Sequence, residues 1–136
     1  MSDTRSDSRN GEQRPRTRPL AQVEIERGIV DLCDDLEHTT EEYARVSDEQ
    51  AEAENAYKRK YTRALVSLGS VGVMPDGRKS TTEWREAQAS ITAEDEGARH
   101  RILEARLRAT KEALITKRAR LDALRTIAAN VRSMGG

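Results

Sequence analysis

The side chains best placed to do chemistry lie in "AYKRKYTRAL", residues Ala56 to Leu65, where Lys58, Arg59, Lys60 and Arg63 surround Tyr57 and Tyr61 in a chain without phenylalanine. Clustered cations neutralise phosphates, and phenol rings can stack on bases, so the stretch raises the question of nucleic-acid contact. On a helix, at ~100° per residue, Tyr57, Tyr61, Ala64 and Leu68 fall on one stripe, and the four cations spread over the remaining face and its flanks. The tyrosines are therefore expected in a helical seam and the cations in solvent, where they would grip phosphates and ignore bases. Arg78 and Lys79 extend the basic surplus, so that residues 56–80 carry a net charge of +5 with Asp76 as the only acid. A competing reading pairs these cations with carboxylates of a neighbouring helix.

Other candidate chemistry is sparse. His38 and His100 are far apart and belong to no HExxH or Cys/His ligand spacing. They read as helix-surface or seam residues. Cys33 is the only cysteine, and without a Cys/His cluster it reads as a small buried helix residue. The segment "GSVGVMPDGRKS" lacks the GxxxxGK[ST] spacing of a phosphate-binding loop, and no apolar strand precedes it. Adjacent acids such as Asp34-Asp35 and Glu41-Glu42 imply a solvated helix and no pocket. No catalytic residue, metal site or cofactor is implied, and the expectation is a protein that is not an enzyme.

The elements that would carry the basic cluster follow from composition and periodicity. Of the 136 residues, 35% are apolar, 3% aromatic and 35% charged, a balance of long helices that each bury one narrow stripe. Residues 1–18, rich in Ser, Asp, Arg and Pro, predict a disordered polar tail. A helix is expected from about 19 to 68, with Pro19 in its first turn and Gly28 as a weak point, a length of ~70 Å. Its stripe reads Leu20, Val23, Ile29, Leu32 or Cys33, Leu36, Thr40, Tyr43, Val46, Gln50, Ala53, Tyr57, Tyr61, Ala64 and Leu68. A glycine-rich, flexible loop at about 69–80 reverses the chain, and "STTE", Ser80 to Glu83, offers a capping box for a second helix. That helix should span about 81–133, with Trp84, Ala87, Ile91, Ala98 and Ile102 at helical spacing and a break near 92–97. Beyond it a heptad runs through Leu107, Leu114, Leu121 and Ala128, with Leu103, Thr110, Lys117, Leu124 and Val131 at the alternate position.

The predicted fold is all-α, a long antiparallel helical hairpin resembling a coiled coil. Because Ile115 and Ile127 fall off the seam, the hairpin should assemble into a homo-oligomer, as a ring or a dimer. The zero net charge conceals segregation: residues 20–55 carry −10, 81–98 carry −4 and 99–136 carry +7. In a hairpin the acidic part of the first helix faces the basic end of the second, so pairing within the chain competes with phosphate binding. No N-terminal signal or membrane span is evident, which predicts a cytoplasmic protein that does not bind membranes.

Three stretches, "AEAENAYKRKYTRAL", "TTEWREAQAS" and "ARLDALRTIAANVRS", resemble small all-helical bacteriophage proteins of replication and recombination gene sets. The likeness spans most of residues 20–133. More remotely, "YKRKYTRALVSLGSVG" is similar to the basic helix end and glycine-rich turn of the UvsY-type phage recombination mediators. This resemblance implies a noncatalytic accessory protein that binds single-stranded DNA, with Lys58, Arg59, Lys60 and Arg63 matching the mediator's basic cluster. It also implies a recombinase or single-strand-binding protein as partner, and the host cytoplasm as location. The chain departs from the mediator in its longer N-terminus and in lacking further aromatics near the turn. The alternative expectation is a structural or interaction coiled coil, a scaffold or assembly factor, that uses its charges only to select helix partners.

Overall fold

The computed structural model describes the backbone of residues 14–135 and the side chains of residues 21–135, and among these residues the protein is all-helical. Helix α1 spans Arg14–Gly69, α2 spans Thr82–Thr92 and α3 spans Glu94–Gly135. Helix α1 starts earlier than the sequence suggests, so Pro15, and not Pro19, occupies the first turn, where a missing N–H has no helical partner to lose. Of the tail expected at residues 1–18, residues 14–18 are instead helical, the first turns of α1, and residues 1–13 lie outside the described residues. Gly28 does not interrupt α1.

The chain divides into two compact units, one containing residues 21–40 and 113–135, the other residues 41–112. In the first unit, α1 and α3 run antiparallel: Gly28 lies beside Leu124, and Lys117 reaches Asp35 and Thr39. Leu32, Leu114, Leu121 and Ala128 are its buried apolar side chains. Thr39, not Thr40, takes the buried seam position, because the spacing from Leu32 and Leu36 averages half a heptad and leads to 39. Its hydroxyl donates to the Asp35 carbonyl at 2.9 Å and accepts from the Lys117 ammonium at 2.7 Å, so the polar side chain is satisfied. Cys33, expected to be buried, is exposed: Leu32 occupies the seam and turns its neighbour out.

In the second unit Val46 and Ala53 of α1, and Ala89, Ala93, Leu103 and Thr110 of the following helices and their junction, are buried. The buried row Ala89, Ala93 and Gly97 replaces the expected Ile91 and Ile102, which are 63% and 65% exposed. Small residues win this face because α1 comes close to it. A Cβ on Gly97 would lie 3.2 Å from Cε2 of Tyr57. The expected break is slight: Ala93 leaves helical geometry at φ −99°, yet its amide still bonds Ala89 and its carbonyl still accepts from Gly97. The Thr92 hydroxyl donates to the Gln88 carbonyl at 2.9 Å, a contact that bends helices at such places.

Between α1 and α2 the backbone forms a compact turn. Ser70 and Val71 cap the end of α1 by donating to the Ser67 and Leu68 carbonyls. Met74 and Arg78 exchange backbone contact, with the Met74 amide 2.7 Å from the Arg78 carbonyl, and Val73 bridges Lys79. Gly77 at the tip has φ +86°, a conformation that strains any side chain. Ser80 closes the turn: its hydroxyl donates to Val71 at 2.7 Å and accepts from the Arg85 guanidinium at 3.2 Å. Thr81 therefore caps α2, accepting from the Trp84 amide at 3.1 Å, one residue beyond the Ser80 cap expected from "STTE".

Candidate nucleic-acid interface

The basic cluster lies in the second unit, on the last turns of α1. Tyr57 and Tyr61 are half-buried, with ring centroids 5.9 Å apart, and Tyr57 stacks on His100 at 6.3 Å with the planes 12° from parallel. Gln50 approaches Nδ1 of the same imidazole at 3.5 Å, and Glu104 lies 3.7 Å from its Nε2. One face of the Tyr57 ring is thus occupied by protein, and its Cε2 sits over Gly97. Leu68 is also half-buried, as are Leu107 in this unit and Leu124 in the first, while Leu114 and Leu121 are buried.

The six cations singled out in the sequence differ in availability. Lys60 is held most firmly: its ammonium donates to Oε1 of Glu96 at 2.8 Å. That hydrogen bond keeps the Glu96 carboxyl below its ordinary value of 4.5. The other carboxylate oxygen, Oε2, is enclosed without a hydrogen-bond partner, which leaves Glu96 dependent on Lys60 for compensation. Lys58 pairs with Glu54 at 3.0 Å along the helix, lowering the Glu54 carboxyl, and Arg78 lies 3.6 Å from Asp76 at the turn tip. Both pairs are exposed, so each contributes little and exchanges readily for another anion.

Arg59, Arg63 and Lys79 make no ion pair among the described residues. Arg59 and Arg63 sit one turn apart and line an open groove of about 740 Å³, walled by Ala64 and Leu68 of α1 and by Gln88 and Thr92 of α2. Gln88 and Thr92 were not singled out in the sequence. They reach the groove because α2 folds back along α1, which no local pattern encodes. The turn residues Arg78 and Lys79 are exposed and held by the backbone bonds of the hairpin. The arrangement offers guanidinium groups for bidentate contact with phosphate oxygens, beside a short apolar wall.

Among the described residues no group of three His, Cys, Asp or Glu side chains is placed to hold a metal ion. No helix among them is long and apolar enough to cross a membrane. Comparison of the chain with protein-family models, with curated proteins and with solved structures finds no match.

Proposed function

We propose that this protein is a noncatalytic accessory factor of DNA recombination or replication, a helical hairpin working as a homo-oligomer, that binds single-stranded DNA through its phosphates and helps load a recombinase. The observation that carries the reading is the pair Arg59 and Arg63, one turn apart on an open groove and without carboxylate partners among the described residues. Lys79, Lys58 and Arg78 supply weaker, exchangeable contacts, and Lys60 chiefly positions Glu96. Base recognition is not part of the mechanism, since Tyr57 is engaged by His100. Fluorescence anisotropy of a labelled single-stranded oligonucleotide tests it. Affinity should fall steeply with added salt, because each neutralised phosphate releases counterions. Replacing Arg59 and Arg63 together by Ala should weaken binding by about a hundredfold, at ~1.5 kcal/mol for each charged hydrogen bond lost, and flatten the salt slope. Lys60→Ala should have a smaller effect. An oligonucleotide that fails to bind at low salt would sink the reading.

The second reading, a scaffold or assembly factor without nucleic-acid binding, is favoured by one observation: Val30 and Ile115 stand 58% and 52% exposed amid segregated charge. It predicts that the Arg59 and Arg63 double variant behaves as the parent chain in every DNA assay.

A further inference from the structure

The first unit carries an imbalance that its own two helices do not resolve. Over residues 21–40, α1 has six acidic side chains and one basic, and over residues 113–135, α3 has five basic and one acidic. Yet Lys117 to Asp35 is the one ion pair joining these segments among the described residues. The seam runs through Ile29, Leu32, Leu36 and Thr39 on α1 and Leu114, Lys117, Leu121 and Leu124 on α3. The heptad therefore sets Val23, Glu26, Val30, Cys33, Glu37 and Thr40 on one flank of α1, and Ile115, Arg118, Asp122, Arg125 and Arg132 on one flank of α3, a net charge of −2 beside one of +2. In an antiparallel pair these two flanks lie side by side on a single face. All of these side chains are exposed, Val23, Val30 and Ile115 by 52%, 58% and 52%. The face thus has a net-acidic row, with Glu26, Glu37 and two valines, beside a net-basic row, with three arginines, Asp122 and an isoleucine.

We infer that this face binds a second copy of the same chain. A two-fold axis parallel to the helices lays the acidic row of one copy over the basic row of the other, and simultaneously the reverse. The helices that meet then run antiparallel, each row opposes one of opposite net charge, and the valines and isoleucine leave water. The other two-fold arrangement, α1 over α1, sets acid against acid and is disfavoured. The face is self-complementary in charge, which is why a second copy fits it better than a uniformly acidic or basic partner. The interface belongs to the first unit and the nucleic-acid groove to the second.

Light scattering and sedimentation of the full chain at micromolar concentrations test the inference. The parent protein should have twice the monomer mass. Two charge-reversed variants, Glu26→Lys with Glu37→Lys, and Arg118→Glu with Arg125→Glu, should each dissociate to monomers, with dimer affinity reduced about tenfold or more. Combining all four substitutions in one chain should restore the dimer, since the rows are again complementary. Maleimide labelling of Cys33 in the parent chain gives a second readout that requires no variant: it should slow as concentration rises into the dimeric range. Circular dichroism confirms that each variant remains helical. A parent chain that stays monomeric, reversed variants that still dimerise, a fourfold variant that does not, or Cys33 labelling independent of concentration would each overturn the inference. DNA binding measured on the same variants separates this surface from the groove, because reversal at Glu26 and Glu37 should leave the Arg59 and Arg63 contacts in place.

Discussion

The two units solve the same problem, holding α1 against a partner helix, with different side chains. Residues 21–40 and 113–135 meet through leucines, with Lys117 laid across the seam to Asp35 and Thr39. Residues 41–112 bury Val46 and Leu103 but add a row of small residues, Ala53, Ala89, Ala93 and Gly97, with Tyr57 lying over the glycine and stacked on His100. Two glycines mark the contrast. A Cβ at Gly28 would make ordinary contact with Leu124 at 3.8 Å, whereas one at Gly97 would press on the Tyr57 ring at 3.2 and 3.4 Å. Bulk supplies cohesion in the leucine unit. In the small-residue unit, close approach takes that role and leaves α1's outward faces free to display cations.

The comparison breaks most sharply at Leu121. Replacing this buried leucine by Ala removes apolar contacts and leaves a cavity, so unfolding in urea should show a loss of about 3 kcal/mol. Gly97→Leu attacks the other unit by overpacking, and should lower stability by about 2 kcal/mol, with a changed near-ultraviolet signal from the displaced Tyr57. A stable Gly97→Leu protein with unaltered tyrosine signal would mean that close approach is not what holds this unit. Gly28→Ala should act in the opposite direction. The added methyl has room and the helix gains intrinsic propensity, so thermal melting should rise by the equivalent of up to about 1 kcal/mol.

The smallest effect concerns pH. The Glu96 carboxyl is lowered below its ordinary 4.5 by the hydrogen bond from Lys60. Its contribution to stability is therefore fully present above pH 4.5 and is lost as pH falls below that value through the lowered folded one. Melting temperatures of the parent chain and of Glu96→Gln should converge as the solution is acidified from neutrality. A gap that stays constant would assign Glu96 a purely steric role.

Periodicity made the α3 seam legible. Leu103, Leu107, Thr110, Leu114, Lys117, Leu121 and Leu124 recur at alternating fours and threes, and all are buried or half-buried. The same reasoning misplaced Cys33 and Thr40 by one residue, because weakly apolar neighbours blur the phase of a narrow stripe. Around the α2–α3 junction the apolar spacing points to Ile91 and Ile102, whereas the buried row is Ala89, Ala93 and Gly97. The spacing of that row by fours was present in the chain. Its meaning depends on how closely another helix approaches, and hydrophobicity does not record that distance. In the basic cluster, the stripe that carries Tyr57 and Tyr61 was readable, but the ranking of the cations was not. Whether Lys60 is free or held depends on Glu96, thirty-six positions away.

The sequence by itself determined that this is an all-helical chain, where its helices break, and that its charge is sorted by segment, because helix period, Gly-Pro punctuation and local charge act over a few residues. Tertiary structure alone decided which of those charges are neutralised. The pairings of Lys60 with Glu96 and of Lys117 with Asp35, and the lack of any ion pair to Arg59 and Arg63 among the described residues, arise from the side-by-side placement of segments distant in the chain. Hydrogen bonds reach only a few ångströms and salt screens exposed charges over about 10 Å, so only the packed arrangement of helices distinguishes a cation held by its own protein from one left open to a phosphate.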